Sequence, residues 1–140
     1  MGMVVEKVVA EQLSKQAERK GQLSDGQFGN RKGRSVMNAA AIMVDRAHAA
    51  WTDSNIPGVI LMDIKAAFPT VAKESLVNGM KAKYIDGDLI RWMESVHSDR
   101  TVAMIFECNA LTRHPVEAGV PQSSPVSPIL IAIYTSGLIR

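Results

Sequence analysis

Apolar residues recur at helix spacing over residues 3–20. Val5, Val8, Val9 and Leu13 share one face, and Glu6, Lys7, Glu11 and Lys15 fill the other. The spacing predicts an amphipathic packing helix that stops at Lys20-Gly21. A second helix is predicted over 36–53, where Ile42, Met43, Arg46, Ala47, Ala50 and Trp51 recur at helix spacing. Its many small residues predict close packing on a sheet. Asn55-Ile56-Pro57-Gly58 breaks it. The pattern then changes to a continuous apolar run, Val59 to Met62, with the length and β-branched content of a buried strand. Lys73 to Lys83 reads as a short amphipathic helix with Leu76, Val77 and Met80 inward. Leu89 to Val96 reads as another. Arg100 to Glu107 predicts a strand, with Leu111 to Val116 as its hairpin partner across Cys108-Asn109. The last apolar run, Ile129 to Leu138, has helical length, and Pro128 suits its first turn.

The candidate chemistry lies between these elements. Asp63 ends the apolar run 59–62, and a buried carboxylate needs a cation or hydrogen-bond donors. A bound Mg²⁺ is one such partner; capping the next helix is the other use of an aspartate there. Residues 21–35 are rich in Gly, Asn and Arg. Within them Gln27-Phe28-Gly29-Asn30-Arg31-Lys32-Gly33-Arg34-Ser35 sets three cations beside two glycines and an aromatic. That composition suits phosphates and base stacking, and equally suits a solvated basic loop. Ser35 is a good N-cap for the helix after it. Tyr84-Ile85-Asp86-Gly87-Asp88 is a second acidic cluster, and its position before a helix favours an N-cap over a metal site. Gly119 to Pro128 forms a loop stiffened by three prolines, with three serines and Gln122. Such a loop at a helix N-terminus can hold a phosphate or sugar; a simple Pro-capped helix is the alternative.

Composition narrows the class. At 140 residues the chain is one domain or part of one, with 46% hydrophobic and 21% charged residues, as in soluble globular proteins. The net charge of +2 says little, but residues 1–50 hold eight Lys/Arg against five Asp/Glu, and 51–140 hold eight against nine. One cysteine, Cys108, excludes an internal disulfide and fits a reducing compartment. His48, His97 and His114 are scattered and lack metal-ligand spacing. No apolar run reaches transmembrane length, and no signal-peptide core is present.

Three segments, in order, resemble the reverse transcriptases of non-LTR (LINE-like) retrotransposons. Residues Gln27 to Ser35 resemble that family's fingers motif, Q-F-G-F-R-x-G-R-S. Asp63-Ile64-Lys65-Ala66-Ala67-Phe68 resembles polymerase motif A, D-[IV]-x-x-A-F. Gly119 to Pro128 resembles motif B, G-x-P-Q-G-S-P-x-S-P. Glu6-Lys7-Val8-Val9-Ala10 is similar to the helix that precedes the fingers motif, so the resemblance covers nearly the whole chain. The Ala67-Phe68-Pro69 form of motif A is similar to that of fungal elements.

The resemblance implies an α+β fold, an incomplete right-hand polymerase with helices packed on a small, mostly antiparallel sheet. Residues 1–57 would be fingers-side helices and the basic loop, and 58–140 a partial palm. The implied activity is RNA-directed DNA polymerisation, with an RNA template, a DNA primer, dNTPs and two Mg²⁺ ions, and no membrane. Asp63 would be the catalytic metal carboxylate, and the backbone carbonyl of Ile64 would help hold the nucleotide-side ion. Ala67, Phe68 and Gln122 would face the nucleotide. Gln27, Gly29, Arg31, Lys32, Arg34, Pro121 and Ser123 would line the template path. A working element of this kind acts at nuclear DNA. Three positions depart from the pattern: Asn30 and Asn38 replace other residues, and Ser123 stands where the family has Gly, adding a Cβ. Motif C, an aromatic-x-Asp-Asp hairpin, is absent from these 140 residues, so the chain alone is expected not to polymerise. A non-catalytic nucleic-acid-binding relic and a non-functional pseudogene product are the alternatives. The last predicts Ile129, Ile131, Ile133 and Leu138 exposed, for want of strands to pack on.

Overall fold

A computed structural model describes residues 2–106, 109–110 and 112–138. Five helices and four very short strands follow in the order α1 (Gly2–Arg19), α2 (Val36–Thr52), α3 (Lys73–Ala82), α4 (Gly87–Val96), β1 (Thr101–Val102), β2 (Ile105–Phe106), β3 (Asn109–Ala110), β4 (His114–Pro115) and α5 (Ser127–Thr135). The architecture is α+β: helices plus a small antiparallel sheet.

The core sits between α1, α3, α4 and α5. Helix α1 contributes Val9, Leu13 and Ala17, spaced four apart on one face. Helix α3 brings Leu76, Val77 and Met80, the three residues expected inward. Helix α4 brings Ile90 and Met93. Helix α5 is apolar nearly all round and is buried accordingly: Ile129, Leu130, Ile131, Ala132 and Ile133 all lie inside. The expectation that Ile129, Ile131 and Ile133 would be exposed is therefore corrected: they pack on α1 and α3 instead of on strands. Leu138 is exposed at 72%.

Local chemistry accounts for the helix ends. Gly21 lies just past α1 with φ +59, and the amides of Gly21 and Gln22 donate to the carbonyls of Glu18 and Ala17. Ser35 caps α2 through a reciprocal box: its hydroxyl accepts from the Asn38 amide at 3.2 Å, and Asn38 Oδ1 accepts from the Ser35 amide at 2.9 Å. Asn38 thus completes the cap. Asp86 caps α4, its Oδ1 accepting from the Asp88 amide at 2.8 Å, so the second acidic cluster is an N-cap.

The predicted hairpin forms as two short ladders, with Asn109, expected in the turn, and Ala110 paired as a strand instead. Thr101 pairs with Pro115 and Val102 with His114; farther out, Ile105 pairs with Ala110 and Phe106 with Asn109. Cys108 lies outside the described residues. Residues Val59 to Met62 form no strand, correcting the expectation of a buried one. They are 61–90% exposed, and no strand lies beside them among the described residues. A strand is stabilised by its neighbours, and β-branched content alone does not make one. Helix α2 is likewise not packed on a sheet: none of its residues is buried, and Met37, Met43 and Trp51 face outward. Among the described residues no helix is long and apolar enough to cross a membrane.

Candidate polymerase and nucleic-acid site

The end of the 63–68 segment and the start of the 119–128 loop meet through backbone. The Val120 amide donates to the Phe68 carbonyl at 2.9 Å, and the Gly119 amide donates to the Val71 carbonyl at 2.8 Å. Arg100 Nη1 donates to the Gly119 carbonyl at 2.7 Å. Gly119 has φ +87, and a Cβ there would lie 2.7 Å from Pro69 Cα and 2.8 Å from its oxygen. Glycine is required on both counts. Phe68 is half-buried and packs against the core. Pro69 thus sits where the two segments touch.

Beyond Gly119 the loop is held from its inner side. Ser127 Oγ donates to the Pro121 carbonyl at 2.5 Å, and the Ser124 amide donates to the same oxygen at 3.2 Å. Ser124 Oγ donates to Glu6 Oε2 of α1 at 2.6 Å. Gln122 and Ser123 stand exposed at the tip. Ser123 is not among the residues with positive φ, so the serine adds its Cβ without backbone strain. Ala66 does take φ +56, an unfavourable region for alanine, in the middle of the first segment. Nothing in the sequence signals that strain.

Behind this loop a cavity of about 290 Å³ is lined by Glu6, Trp92, His97 and Ser124 among others. His97 Nδ1 lies 2.9 Å from the Met93 carbonyl, so Nδ1 carries the proton and donates. Its Nε2 is buried without a partner among the described residues. Burial pushes the imidazole below its usual 6.5, and Arg100 and Lys73 act in the same direction; the Met93 carbonyl and Glu6 oppose them. The unfolded chain therefore takes up the proton first on acidification. The stabilisation is complete above the unfolded value and is lost as pH falls through the folded one. The melting midpoint should drop as pH falls below about 6.5, the ordinary imidazole value, and His97→Phe should flatten that drop. Thermal melts across the range check it.

Asp63 is exposed, as are Ile64 and the neighbouring Lys65; Ala67 is half-buried. Among the described residues no group of three or more His, Cys, Asp or Glu side chains is placed to hold a metal ion. Mg²⁺ takes oxygen ligands in octahedral geometry, and two ions need more than one carboxylate. Asp63 by itself does not fit a two-ion centre.

The basic loop divides. Arg31 is buried: Nε and Nη2 donate to the two oxygens of Glu18 at 2.8 and 2.6 Å, while Nη1 donates to the carbonyls of Ser24 and Gln27 at 2.6 and 3.1 Å. This bidentate pair holds the Glu18 carboxyl below its usual range and raises the arginine further. Gln27 is also buried, and its Nε2 donates to the Ala132 carbonyl at 2.9 Å and to Thr135 Oγ1 at 3.3 Å, both on α5. Lys32 and Gly29 face solvent. Arg34 is partly exposed, lies 5.3 Å over the Phe28 ring, and bonds to the fully exposed Asp25. Asn30 has φ +56, a conformation asparagine takes more readily than the aromatic residue of the family pattern. Sequence reasoning missed Glu18 and Glu6 as partners, since a helix surface carries many such acids.

Comparisons with known proteins agree on one family. The family model for reverse transcriptase (RNA-dependent DNA polymerase) matches residues 2–140. The chain is 25% identical over 133 residues to the probable RNA-directed DNA polymerase from transposon BS of Drosophila melanogaster, covering 95% of this chain and 15% of that protein. It is 26% identical over 132 residues to the corresponding protein from transposon X-element of the same organism, covering 94% of this chain and 14% of the relative. The chain thus spans about one seventh of the length of the curated relatives it matches. No solved structure matches it significantly. With the match running from Gly2 to Arg140, the chain belongs to the reverse transcriptase family.

Proposed function

We propose that this chain is the fingers-side (1–57) and partial palm (58–140) segment of a retrotransposon reverse transcriptase, of the non-LTR type. The observation that carries the proposal is the backbone bridge of Phe68 and Val71 to Val120 and Gly119. It joins the end of one polymerase-like segment to the start of the other, and nucleotide binding between them requires that they meet.

In this reading Phe68, with Ala67 beside it, forms the floor under the incoming sugar, and Gln122 hydrogen-bonds from the loop tip. Pro121 and Ser123 border the template, whose phosphates meet the basic loop. The substrates are an RNA template, a DNA primer and dNTPs. Members of the family generally use divalent metal ions; Mg²⁺ suits the hard oxygen of Asp63 and the Ile64 carbonyl. The described residues supply one carboxylate for it, so the 140 residues alone should not extend a primer.

The test is binding of a primed RNA template by fluorescence anisotropy at several salt concentrations. Binding should weaken steeply with salt, and Lys32→Glu combined with Arg34→Glu should lower affinity by about tenfold or more. Salt-independent binding, or no effect of the reversals, sinks the nucleic-acid contact. A Mg²⁺-dependent extension product that disappears with Asp63→Ala would overturn the expected inactivity of the isolated chain.

A further inference from the structure

We infer that Glu18, Arg31 and Gln27 are positioning residues that clamp the basic loop onto helix α5, so that Lys32 and Arg34, not Arg31, meet the nucleic-acid phosphates. The inference rests on the nucleic-acid reading above and divides its basic loop by task.

The geometry is continuous from helix to helix. Glu18, on the last turn of α1, takes two hydrogen bonds from Arg31. The same guanidinium ties down two carbonyls of its own loop, those of Ser24 and Gln27. Four of its five N–H groups are thereby directed into the protein. Gln27 then reaches across to Ala132 and Thr135 of α5, 105 and 108 residues away in sequence. The Arg31 side chain is 5% exposed, too enclosed to reach a phosphate. Lys32 is next to it on the outer side, and Arg34 is held against Phe28 and a fully exposed aspartate that a phosphate can displace. The loop turns at Asn30 and Gly33, both at positive φ, and of the two cations between those turns Arg31 is buried and Lys32 exposed. Helix α5 carries the Gln122 loop at its start, so the clamp fixes template-side cations and nucleotide-side loop in one frame.

The sign of one substitution separates the readings. Glu18→Gln removes a negative charge near the basic loop. If Arg31 binds phosphate directly, freeing it should tighten binding to RNA. If the pair is a clamp, binding should weaken about fivefold or more, despite the more positive charge. A second substitution guards against misfolding: Arg31→Lys keeps the charge but loses the planar fork. The clamp predicts that Arg31→Lys binds as weakly as Arg31→Gln; direct contact predicts near-wild-type binding.

The experiment measures a single-stranded oligoribonucleotide on the whole chain by anisotropy across salt, with circular dichroism confirming folded protein at the working temperature. Arg31→Gln should leave the slope of log affinity against log salt unchanged, while Lys32→Gln and Arg34→Gln should each remove about 0.7 from it. Tighter binding by Glu18→Gln, or a slope loss of about 0.7 for Arg31→Gln, overturns the inference. A wild-type chain that binds no RNA at all refutes the nucleic-acid reading itself, and the clamp falls with it.

Discussion

Replacing Gly119 with alanine is expected to lower the melting midpoint by about 10 °C. Two costs add at that position. The backbone stands at φ +87, which a side chain resists by about 1–2 kcal/mol. The new Cβ must also displace Pro69, whose Cα and oxygen lie 2.7 and 2.8 Å away, an overpacking cost of about 1–3 kcal/mol. The sum, about 3 kcal/mol, is a large part of the stability of a domain this size. Gly21→Ala is the control. That glycine has φ +59 but nothing within 4 Å of a Cβ, so it should show the conformational cost alone. Equal midpoints for the two variants would mean that the contact with Pro69 is absent.

Leu130→Ala should destabilise the chain by about 3 kcal/mol. Leu130 is 0% exposed and sits in the middle of α5, the helix that packs on both α1 and α3. Truncation leaves a cavity that neighbours on α1 and α3 cannot all move to fill. Leu138→Ala, at a position 72% exposed, should change stability by less than about 0.5 kcal/mol. Urea titration decides the matter, with the midpoint falling and the slope unchanged. A small loss at Leu130 would mean that α5 is not the centre of the core.

The helices were legible in the sequence because their information is local. Helix spacing placed Val9 and Leu13 of α1 inward, while Val5 and Val8 of the same expected face are about half exposed; Ser35 and Asp86 announced the starts of α2 and α4. Pro128 marked the first turn of α5. Residues 59–62 were misread because a strand depends on what lies beside it, and sequence pattern carries no record of the neighbour. The small residues of α2 misled for the same reason: they permit close packing without providing the partner surface.

The candidate site was legible as residue types, and much less so as geometry. The glycine at 119 is visible in the sequence, but its necessity comes from Pro69, which only the fold brings near. Arg31, Lys32 and Arg34 read as one basic cluster, because charge says nothing about burial. Glu18 is thirteen residues from Arg31, and the chain between them bends at Gly21 and Asn30, both at positive φ, before the two side chains meet. Asp63 was read from its motif, and no packing among the described residues accounts for its place.

The burial of α5 also governs when this chain can fold. The first helix and the last share a core, and Glu6 finds Ser124 118 residues downstream. On a ribosome adding about 5–20 residues per second, α1 emerges roughly ten seconds before α5 does. During that interval α5 is not there to cover Val9, Leu13 and Ala17, and that part of the shared core stays open. Long-range closure of this kind is slow even after release. Synthesis of this protein should therefore lean on chaperones that hold early helices, and a translational pause before residue 127 would prolong its most vulnerable stage.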